Sequence, residues 1–301
     1  MHLPERLIHE CQEPAEGVDM SSNVGANWGN ADEATEMLAP PVIVRIFPFL
    51  ALAAWIASLI GTCVNCLNND DTAAPMTDKG LIIILPGIQG IDYHHVNIRA
   101  GLRGSGIPCA IKINAWGSQI PGVKLAINET DARVNRSWAG RIAAEIRDYQ
   151  SQHPGRPVYL IGQSGGAAVA VFAAESLAQA GAGPIEGVVL LSASLSTDYD
   201  LTAALGQCRK GIVNFYNPRD MTLLEVGTAI FGNLDGSRGD SAGRTGFQVP
   251  YHTLYQVNVT ADMVHRFSSP HFANTSAAFT SQYIAPWLMD GNWPAAPDAA
   301  G

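Results

Sequence analysis

The chain has 301 residues and a formal net charge of −9, with hydrophobic and charged fractions of 47% and 15%. This composition is typical of a globular protein and excludes a wholly disordered one. The acidic balance argues against a nucleic acid partner, because phosphates are neutralised by Lys and Arg. Five scattered cysteines do not make a disulfide framework, and the CxxC pair Cys63 and Cys66 lacks the second motif of a zinc or redox site.

The N-terminal region combines a polar tail with an apolar segment. Residues 1–41 are polar and acidic without a sustained period, which predicts a disordered tail. Residues 42–62 are apolar except for Arg45, and about 20 apolar residues can span a bilayer core. We interpret them as an N-terminal hydrophobic helix that acts as a membrane anchor, a signal peptide or a lipoprotein signal ending at Cys63. A buried helix of the folded domain is the alternative. Arg45 before the segment and Asp70 after it favour a membrane-anchored or exported protein with its folded domain outside the cytoplasm.

The rest of the chain alternates strand and helix patterns. Residues 63–79 are rich in Asn, Asp and Thr, which predicts a linker before a folded domain over 80–290 and a tail over 291–301. Residues 81–85 form a continuous apolar run, which is typical of a strand buried on both faces. Further strands are predicted over 108–115, 158–161, 187–191, 212–216 and 254–259. Helical patterns lie between and after them: 96–102, 138–149, 165–180 and a closing helix over 277–288. The alternation predicts an α/β fold with a mostly parallel central sheet of about six strands and helices on both faces.

Residues Gly162–Gly166 match the pattern G-x-S-x-G with Ser164 at its centre. The motif directly follows a predicted strand and directly opens a predicted helix. A serine on such a tight turn is held in a strained conformation, and the flanking glycines remove Cβ atoms that would clash there. Backbone N–H groups at the helix start favour negative charge developing near Ser164. An ordinary Gly-rich turn with a surface serine is the alternative.

This motif resembles the nucleophile elbow of the α/β-hydrolase superfamily. The resemblance covers about residues 80–290, and in general outline it is to the bacterial esterases and lipases. It implies the α/β-hydrolase fold and the chain order nucleophile, acid, base. Trypsin-like serine proteases carry a similar string, but their His and Asp precede the serine and their fold is all-β.

The segment Leu85–Gly90 resembles the oxyanion loop of the superfamily. Pro86 stands where His is common, but the chemistry needs a backbone N–H and not a side chain, so this departure is tolerable. The resemblance implies that the backbone N–H groups of Ile88 and Gly165 hold the oxyanion. A plain turn between a strand and a helix is the alternative.

The acid is expected just beyond a later strand. Asp220 follows the predicted strand that precedes the His-bearing one, which is the superfamily's acid position. Asp198 and Asp200 follow the previous strand and are alternatives. For each of the three, a turn-forming or helix-capping carboxylate is the structural interpretation.

Three histidines near the last predicted strand are candidates for the base: His252, His265 and His271. His271 directly precedes the predicted closing helix, the superfamily's usual position for the base. Pro270 pushes the residue before it toward extended geometry, which predicts an extended loop from which His271 reaches Ser164. His94 and His95 follow the oxyanion loop and are predicted to start a helix, with a role in lining the pocket as the alternative.

These residues predict a serine hydrolase in which Ser164, His271 and Asp220 cleave an ester or related acyl bond through a covalent acyl-enzyme. The mechanism needs no metal and no organic cofactor. The expected substrate is a small-molecule or lipid ester, and the membrane is an expected partner through the N-terminal segment. The alternative is a non-catalytic, membrane-tethered binding protein on the same scaffold. The long Gly-rich stretch 221–250 is predicted to be a lid or a long loop.

Overall fold

A computed structural model of the chain describes residues 72–117, 132–220, 233–237, 239–264, 269–289 and 293. The predicted tail 1–41, the apolar segment 42–62 and the alternative base His265 lie outside these residues. Within the described part of the chain, no helix has both the length and the hydropathy that crossing a membrane requires.

The described strands form one parallel sheet. Its strands are β1 Leu81–Leu85, β2 Ala110–Ile113, β3 Val158–Gln163, β4 Ile185–Leu191, β5 Cys208–Tyr216 and β6 Leu254–Asn258. Their order is β2-β1-β3-β4-β5-β6, and every neighbouring pair is parallel. All residues of β1 are apolar and buried, as a strand covered on both faces requires. The predicted parallel sheet of about six strands is confirmed.

Helices connect the strands and cover both faces of the sheet. The α-helices are α1 Ala74–Thr77, α2 Tyr93–Gly104, α3 Ala132–Gln152, α4 Gly165–Gln179, α5 Thr202–Gly206, α6 Ala242–Thr245, α7 Ala277–Phe279 and α8 Ala285–Leu288. Between and beside them lie two 3-10 helices, Ala261–Met263 and Pro270–Thr275, and a π-helix, Thr280–Ile284.

The core has two halves because successive side chains of each strand point to opposite faces. Ile82 and Ile84 of β1 pack on one face in a cluster with Ile98 of α2 and with residues of α7 and α8. Ile83 packs on the other face in a cluster with Ile146 of α3 and with much of α4. Burial of each such side chain contributes about 1.5–3 kcal/mol. Helices therefore lie on both faces, as the sequence pattern predicts.

The closing segment is helical over 277–288, as predicted, but it is not α-helical throughout. It consists of α7, a π-helical turn and α8. Pro286 lies within α8 and has no backbone N–H, so an α-helical hydrogen bond to the residue four positions earlier cannot form. A π-turn directly before the proline accommodates this lost bond by widening the helix.

Helix α1 lies inside the stretch 63–79 that was predicted to be a linker. The hydroxyl of Tyr149 donates a 2.6 Å hydrogen bond to the carbonyl of Thr77, and Met76 packs against the core. These two contacts join the residues directly before β1 to the domain, and the predicted bounds of linker and domain stay predictions. The earlier part of the predicted linker lies outside the described residues.

The strand order has a topological switch point between β1 and β3. The chain leaves β1 for β2 on one side, and β3 then pairs with β1 on the other side. The connections after β1 and β3 consequently diverge, and in open α/β sheets ligands bind at this switch point. The loop after β1 contains Ile88, and the turn after β3 contains Ser164.

Candidate active site

Ser164 is the turn residue between β3 and α4. Its backbone has φ 54° and ψ −121°, and it is the N-cap residue of α4. Among the described residues, only Ser164 and Ser192 have a positive φ without being glycine. Such a conformation costs about 1–3 kcal/mol and persists where the surroundings enforce it. Here the N–H of Ser164 donates a 2.8 Å hydrogen bond to the carbonyl of Leu191, at the end of β4.

The glycines around Ser164 allow the start of α4 to approach the sheet closely. A Cβ atom on Gly166 would collide with the carbonyl oxygens of Leu85 and Pro86, and one on Gly162 would collide with the backbone of Gly166. These contacts explain why the motif needs glycine on both sides of Ser164. They also show that the loop after β1 lies directly against this turn.

His271 and Asp220 form a buried pair. Nδ1 of His271 lies 2.6 Å from Oδ2 of Asp220, and the two residues are 5% and 1% exposed. An ionised carboxylate can only accept a hydrogen bond, so Nδ1 carries the proton and donates it. In the neutral ring Nε2 is then the acceptor, which is the form a general base requires.

His271 does not lie on the extended loop that the sequence predicts. It lies in the 3-10 helix Pro270–Thr275, and only Ser269 before it has extended geometry. Proline fits the first position of a helical turn, because its fixed φ suits the turn and its missing N–H would be unpaired there. Pro270 thus starts the helical turn in which His271 is buried.

Polar side chains from the ends of β4 and β5 hold this turn in place. The hydroxyl of Ser192 donates to the carbonyl of His271 at 3.2 Å, and the side chain of Asn217 donates to the carbonyl of Pro270 at 2.9 Å. Asn274 in turn donates to the Ser192 hydroxyl at 3.3 Å. Sequence reasoning missed all three residues. The one signal in the sequence was position, since Ser192 and Asn217 directly follow strands whose carboxyl ends meet at this edge.

The segment Leu85–Gly90, the predicted oxyanion loop, lies over the start of α4. A Cβ placed on Gly165 would lie 2.9 Å from Ile88, 3.2 Å from Leu234 and 3.3 Å from Trp116. The indole N–H of Trp116 donates a 2.6 Å hydrogen bond to the carbonyl of Pro86, which fixes the loop from the β2 side. The structure therefore brings Ile88 and Gly165 together, as their predicted shared role requires.

Ser164 and His271 are at the same edge of the sheet but are not hydrogen-bonded to each other. Within the described residues, no bond joins the Ser164 hydroxyl to the His271 ring. In unliganded enzymes the hydrogen bond between nucleophile and base is often long and tightens only when substrate binds. Two adjacent residues nevertheless link them. The N–H of Ser164 donates to the carbonyl of Leu191, and the hydroxyl of Ser192, which follows Leu191, donates to the carbonyl of His271.

The alternative acids lie elsewhere. Asp198 and Asp200 are exposed. Asp200 accepts a 2.9 Å hydrogen bond from the N–H of Thr202 and a 3.1 Å bond from the hydroxyl of Tyr251. Hydrogen bonds from Thr202 and then from Tyr251 lower the pKa of Asp200, and the bond to the N–H two residues later is typical of a turn-forming carboxylate.

Of the alternative bases, His252 is exposed, and His265 lies outside the described residues.

The described part of the chain contains no group of three or more His, Cys, Asp or Glu residues that could hold a metal ion. The CxxC pair Cys63 and Cys66 also lies outside it.

His94 and His95 begin α2, as predicted, but His94 also contacts the turn that contains the proposed base. Asp92 caps the helix and accepts a 2.9 Å hydrogen bond from the N–H of His94. The ring of His94 stacks on Phe272, the neighbour of His271. Burial lowers the pKa of His94, repulsion from His95 and His271 acts in the same direction, and attraction to Asp92 opposes it.

No protein-family model and no curated protein matches the sequence. Among solved structures, the chain is similar to a Trichoderma reesei cutinase in complex with a phosphonate inhibitor, at 12% identity and a TM-score of 0.41 over 85% of this chain and 95% of that chain. It is also similar to Est1E from Butyrivibrio proteoclasticus, at 12% identity and a TM-score of 0.42 over 73% and 92% of the two chains. A third is LpqC, a poly(3-hydroxybutyrate) depolymerase from Bordetella parapertussis, at 14% identity and 0.41 over 76% and 86%. Identities and scores of this size carry no information about activity.

The fold assignment rests on the chain's own geometry. A parallel sheet in the order found here displays a strained serine where its third strand turns into a helix, and a paired acid and histidine follow along the chain. This arrangement of sheet, turn and chain order is that of the α/β-hydrolase fold. The chain has the α/β-hydrolase fold.

Proposed function

We propose that the chain is a serine hydrolase that cleaves carboxylic esters through an acyl-enzyme on Ser164. The observation that carries this proposal is the buried pair of Asp220 and His271, which lies at the sheet edge that displays the strained Ser164. A buried carboxylate paired with a histidine is costly for a fold unless the pair is well hydrogen-bonded. General base catalysis gives this pair a use.

In the first half of the reaction, Nε2 of His271 takes the proton of the Ser164 hydroxyl while Oγ attacks the ester carbonyl carbon. The carbonyl oxygen becomes an oxyanion that accepts hydrogen bonds from the N–H groups of Ile88 and Gly165. Asp220 keeps Nδ1 protonated and stabilises the imidazolium. The bond to the alkoxy group then breaks, and the departing alcohol takes the proton from Nε2.

In the second half, a water molecule gives a proton to Nε2 of His271, and its oxygen attacks the acyl carbon. The second tetrahedral intermediate uses the same two N–H groups. Its collapse releases the carboxylic acid, and the proton on Nε2 returns to Oγ of Ser164. The cycle consumes one ester and one water.

The side chains nearest the proposed oxyanion donors are apolar. Ile88, Trp116 and Leu234 surround Gly165, and the last two are each 2% exposed. An apolar wall beside the reacting carbonyl suits an uncharged acyl group and disfavours a charged one, because an unpaired charge there would lose its hydration. We therefore propose a small-molecule or lipid ester with an uncharged acyl chain.

The test is hydrolysis of p-nitrophenyl esters of graded acyl length by the full chain and by two variants. Ser164→Ala should lower kcat by about 10⁶-fold, the scale seen when a nucleophile is removed. Ser151→Ala, at an exposed serine of α3, is the matched control and should leave kcat unchanged. No hydrolysis of any ester by the unaltered chain would favour a non-catalytic binding protein on this scaffold.

We also propose that residues 42–62 anchor or export the chain, with the hydrolase domain outside the cytoplasm. The support is the apolar length of the segment and the position of Arg45. Residues 72–79 lead into the amino end of β1, the edge opposite Ser164. A chain beginning at residue 70 should be soluble and folded, and loss of its folding would place the segment in the core instead.

A further inference from the structure

His94 contacts two residues of the turn that contains His271. Its ring is nearly parallel to that of Phe272, with centroids 4.1 Å apart and an interplanar angle of 10°. Its Nδ1 lies 2.9 Å from the hydroxyl oxygen of Thr275. Phe272 directly follows His271, and Thr275 ends the same 3-10 helix. His94 therefore contacts this turn at two positions.

The direction of the bond between His94 and Thr275 follows from counting protons. The hydroxyl of Thr275 has one proton, and it donates this proton to the carbonyl of Phe272 at 2.7 Å. The Thr275 oxygen must then accept from His94, so Nδ1 of His94 carries a hydrogen. The neutral ring provides this donor, and its lowered pKa favours the neutral form at neutral pH. His94, Thr275 and Phe272 thus form one directed chain.

The other end of this contact is rigid. His94 lies in the first turn of α2, which Asp92 caps. Further along, Ile98 is fully buried, and Gly101 lies so close to the carbonyl of Ala277 that a Cβ there would be 2.5 Å from it. A side chain on so firmly packed a helix can fix the position of a less regular segment.

Phe272 also packs against the proposed base, so the contacts that hold Phe272 in place restrict His271 as well. The ring of His271 meets that of Phe272 edge to face, with centroids 4.9 Å apart and an angle of 82°. Phe272 therefore lies between two imidazoles, that of His94 on its face and that of His271 at a right angle. Asp220 fixes Nδ1 of His271, while the packing against Phe272 limits rotation of the ring.

We propose that His94 is a positioning residue for the hydrolase reaction: through Phe272 and Thr275 it holds the ring of His271 at the angle at which Nε2 meets Ser164. This role rests on the proposed function. His94 itself touches no reacting atom. If it served only to start α2, its loss would lower stability and leave the rate of the chemical step unchanged.

Two substitutions remove the link in different places. His94→Phe keeps a ring to stack on Phe272 but loses the Nδ1 donor, and Thr275→Val keeps the shape of the acceptor but loses its hydroxyl. Each should lower kcat by about 10- to 100-fold, the loss expected when a reacting group is misplaced by about 1 Å. KM should change by less than about threefold, because substrate binding does not involve His94.

The double variant and a control complete the design. Both substitutions remove the same hydrogen bond between His94 and Thr275. The double variant should therefore have a kcat within about twofold of that of the less active single variant. His153→Phe is the matched control, since His153 lies beyond α3 at the opposite edge of the sheet and pairs with Asp78 at 3.3 Å. It should leave kcat unchanged.

The measurement is kcat and KM for the full-length variants on one p-nitrophenyl ester, with circular dichroism to verify folding. A kcat within about twofold of the unaltered chain in both single variants, or a loss that falls on KM alone, overturns the role of His94. If His94→Phe does not fold, Thr275→Val decides alone. An unaltered chain that hydrolyses no ester refutes the proposed function instead, so the two failures are distinguishable.

Discussion

The hydroxyl of Ser192 donates a 3.2 Å hydrogen bond to the backbone carbonyl of His271. Ser192 follows β4, whose last residue Leu191 accepts a hydrogen bond from the N–H of Ser164. One strand end thus holds the backbone of both the proposed nucleophile and the proposed base. Ser192 itself has φ 50°, a strained conformation for a residue other than glycine.

Ser192→Ala should lower both stability and rate. The carbonyl of His271 and the side chain of Asn274 each lose a buried partner, at a cost of about 1–3 kcal/mol in the free energy of unfolding. The base would also be held less firmly, so kcat should fall by about tenfold. Urea denaturation and ester kinetics measure the two effects. An unchanged kcat with full stability would show that the bond does not position His271.

Asp220→Asn should lower kcat by about 10⁴-fold, because an amide can donate to Nδ1 and so leave the proton on Nε2, the wrong tautomer for a base. The matched variant is Asp200→Asn, at an exposed turn-forming carboxylate, and it should keep kcat within about twofold. Steady-state kinetics on one ester compare them. A larger loss at Asp200 would transfer the role of acid to the connection after β4.

His271→Ala should cost several orders of magnitude in kcat, because base and nucleophile act as a unit. His265→Ala should cost about tenfold or less, equivalent to about 1.4 kcal/mol. Both variants are assayed on the same ester. A larger loss at His265 would overturn the assignment, and small losses at both would direct attention to His252.

His94 should make the stability of the protein depend on pH. Burial lowers its pKa below 6.5, helped by repulsion from His95 and His271 and opposed by Asp92. As the pH falls through 6.5, the unfolded chain therefore takes up a proton before the folded one, and the free energy of unfolding decreases. This stabilisation is complete above 6.5 and is lost progressively below it.

The comparison is between the unaltered chain and His94→Phe, with unfolding free energies measured at about pH 7.5 and about pH 5.5. The variant has no imidazole at this position, so its stability should fall less between the two pH values. A fall as large as that of the unaltered chain would show that other groups cause the pH dependence.

Local patterns predicted much of this fold. The apolar run of β1 and the turn at Ser164 both follow from residues adjacent in sequence, and the structure has them where expected. The π-helical turn within the closing helix could also be inferred in principle, because Pro286 lies just after it in the sequence of that helix.

Contacts between distant parts of the chain could not be predicted. Ser192 and His271 are 79 positions apart, and His94 and Thr275 are 181 apart. No periodicity or spacing in the sequence connects such pairs, since they meet only after the sheet has assembled. For the same reason the sequence predicted that His94 starts a helix, but it did not predict that His94 contacts Phe272 and Thr275.

The most direct test of the account is the site of covalent modification by a fluorophosphonate, which reacts with an activated serine. The full chain is incubated with the probe, and the modified peptide is identified by mass spectrometry. We expect a single adduct, on Ser164, that is absent in Ser164→Ala and forms much more slowly in His271→Ala. Absence of an adduct, or an adduct on a different serine, would contradict it.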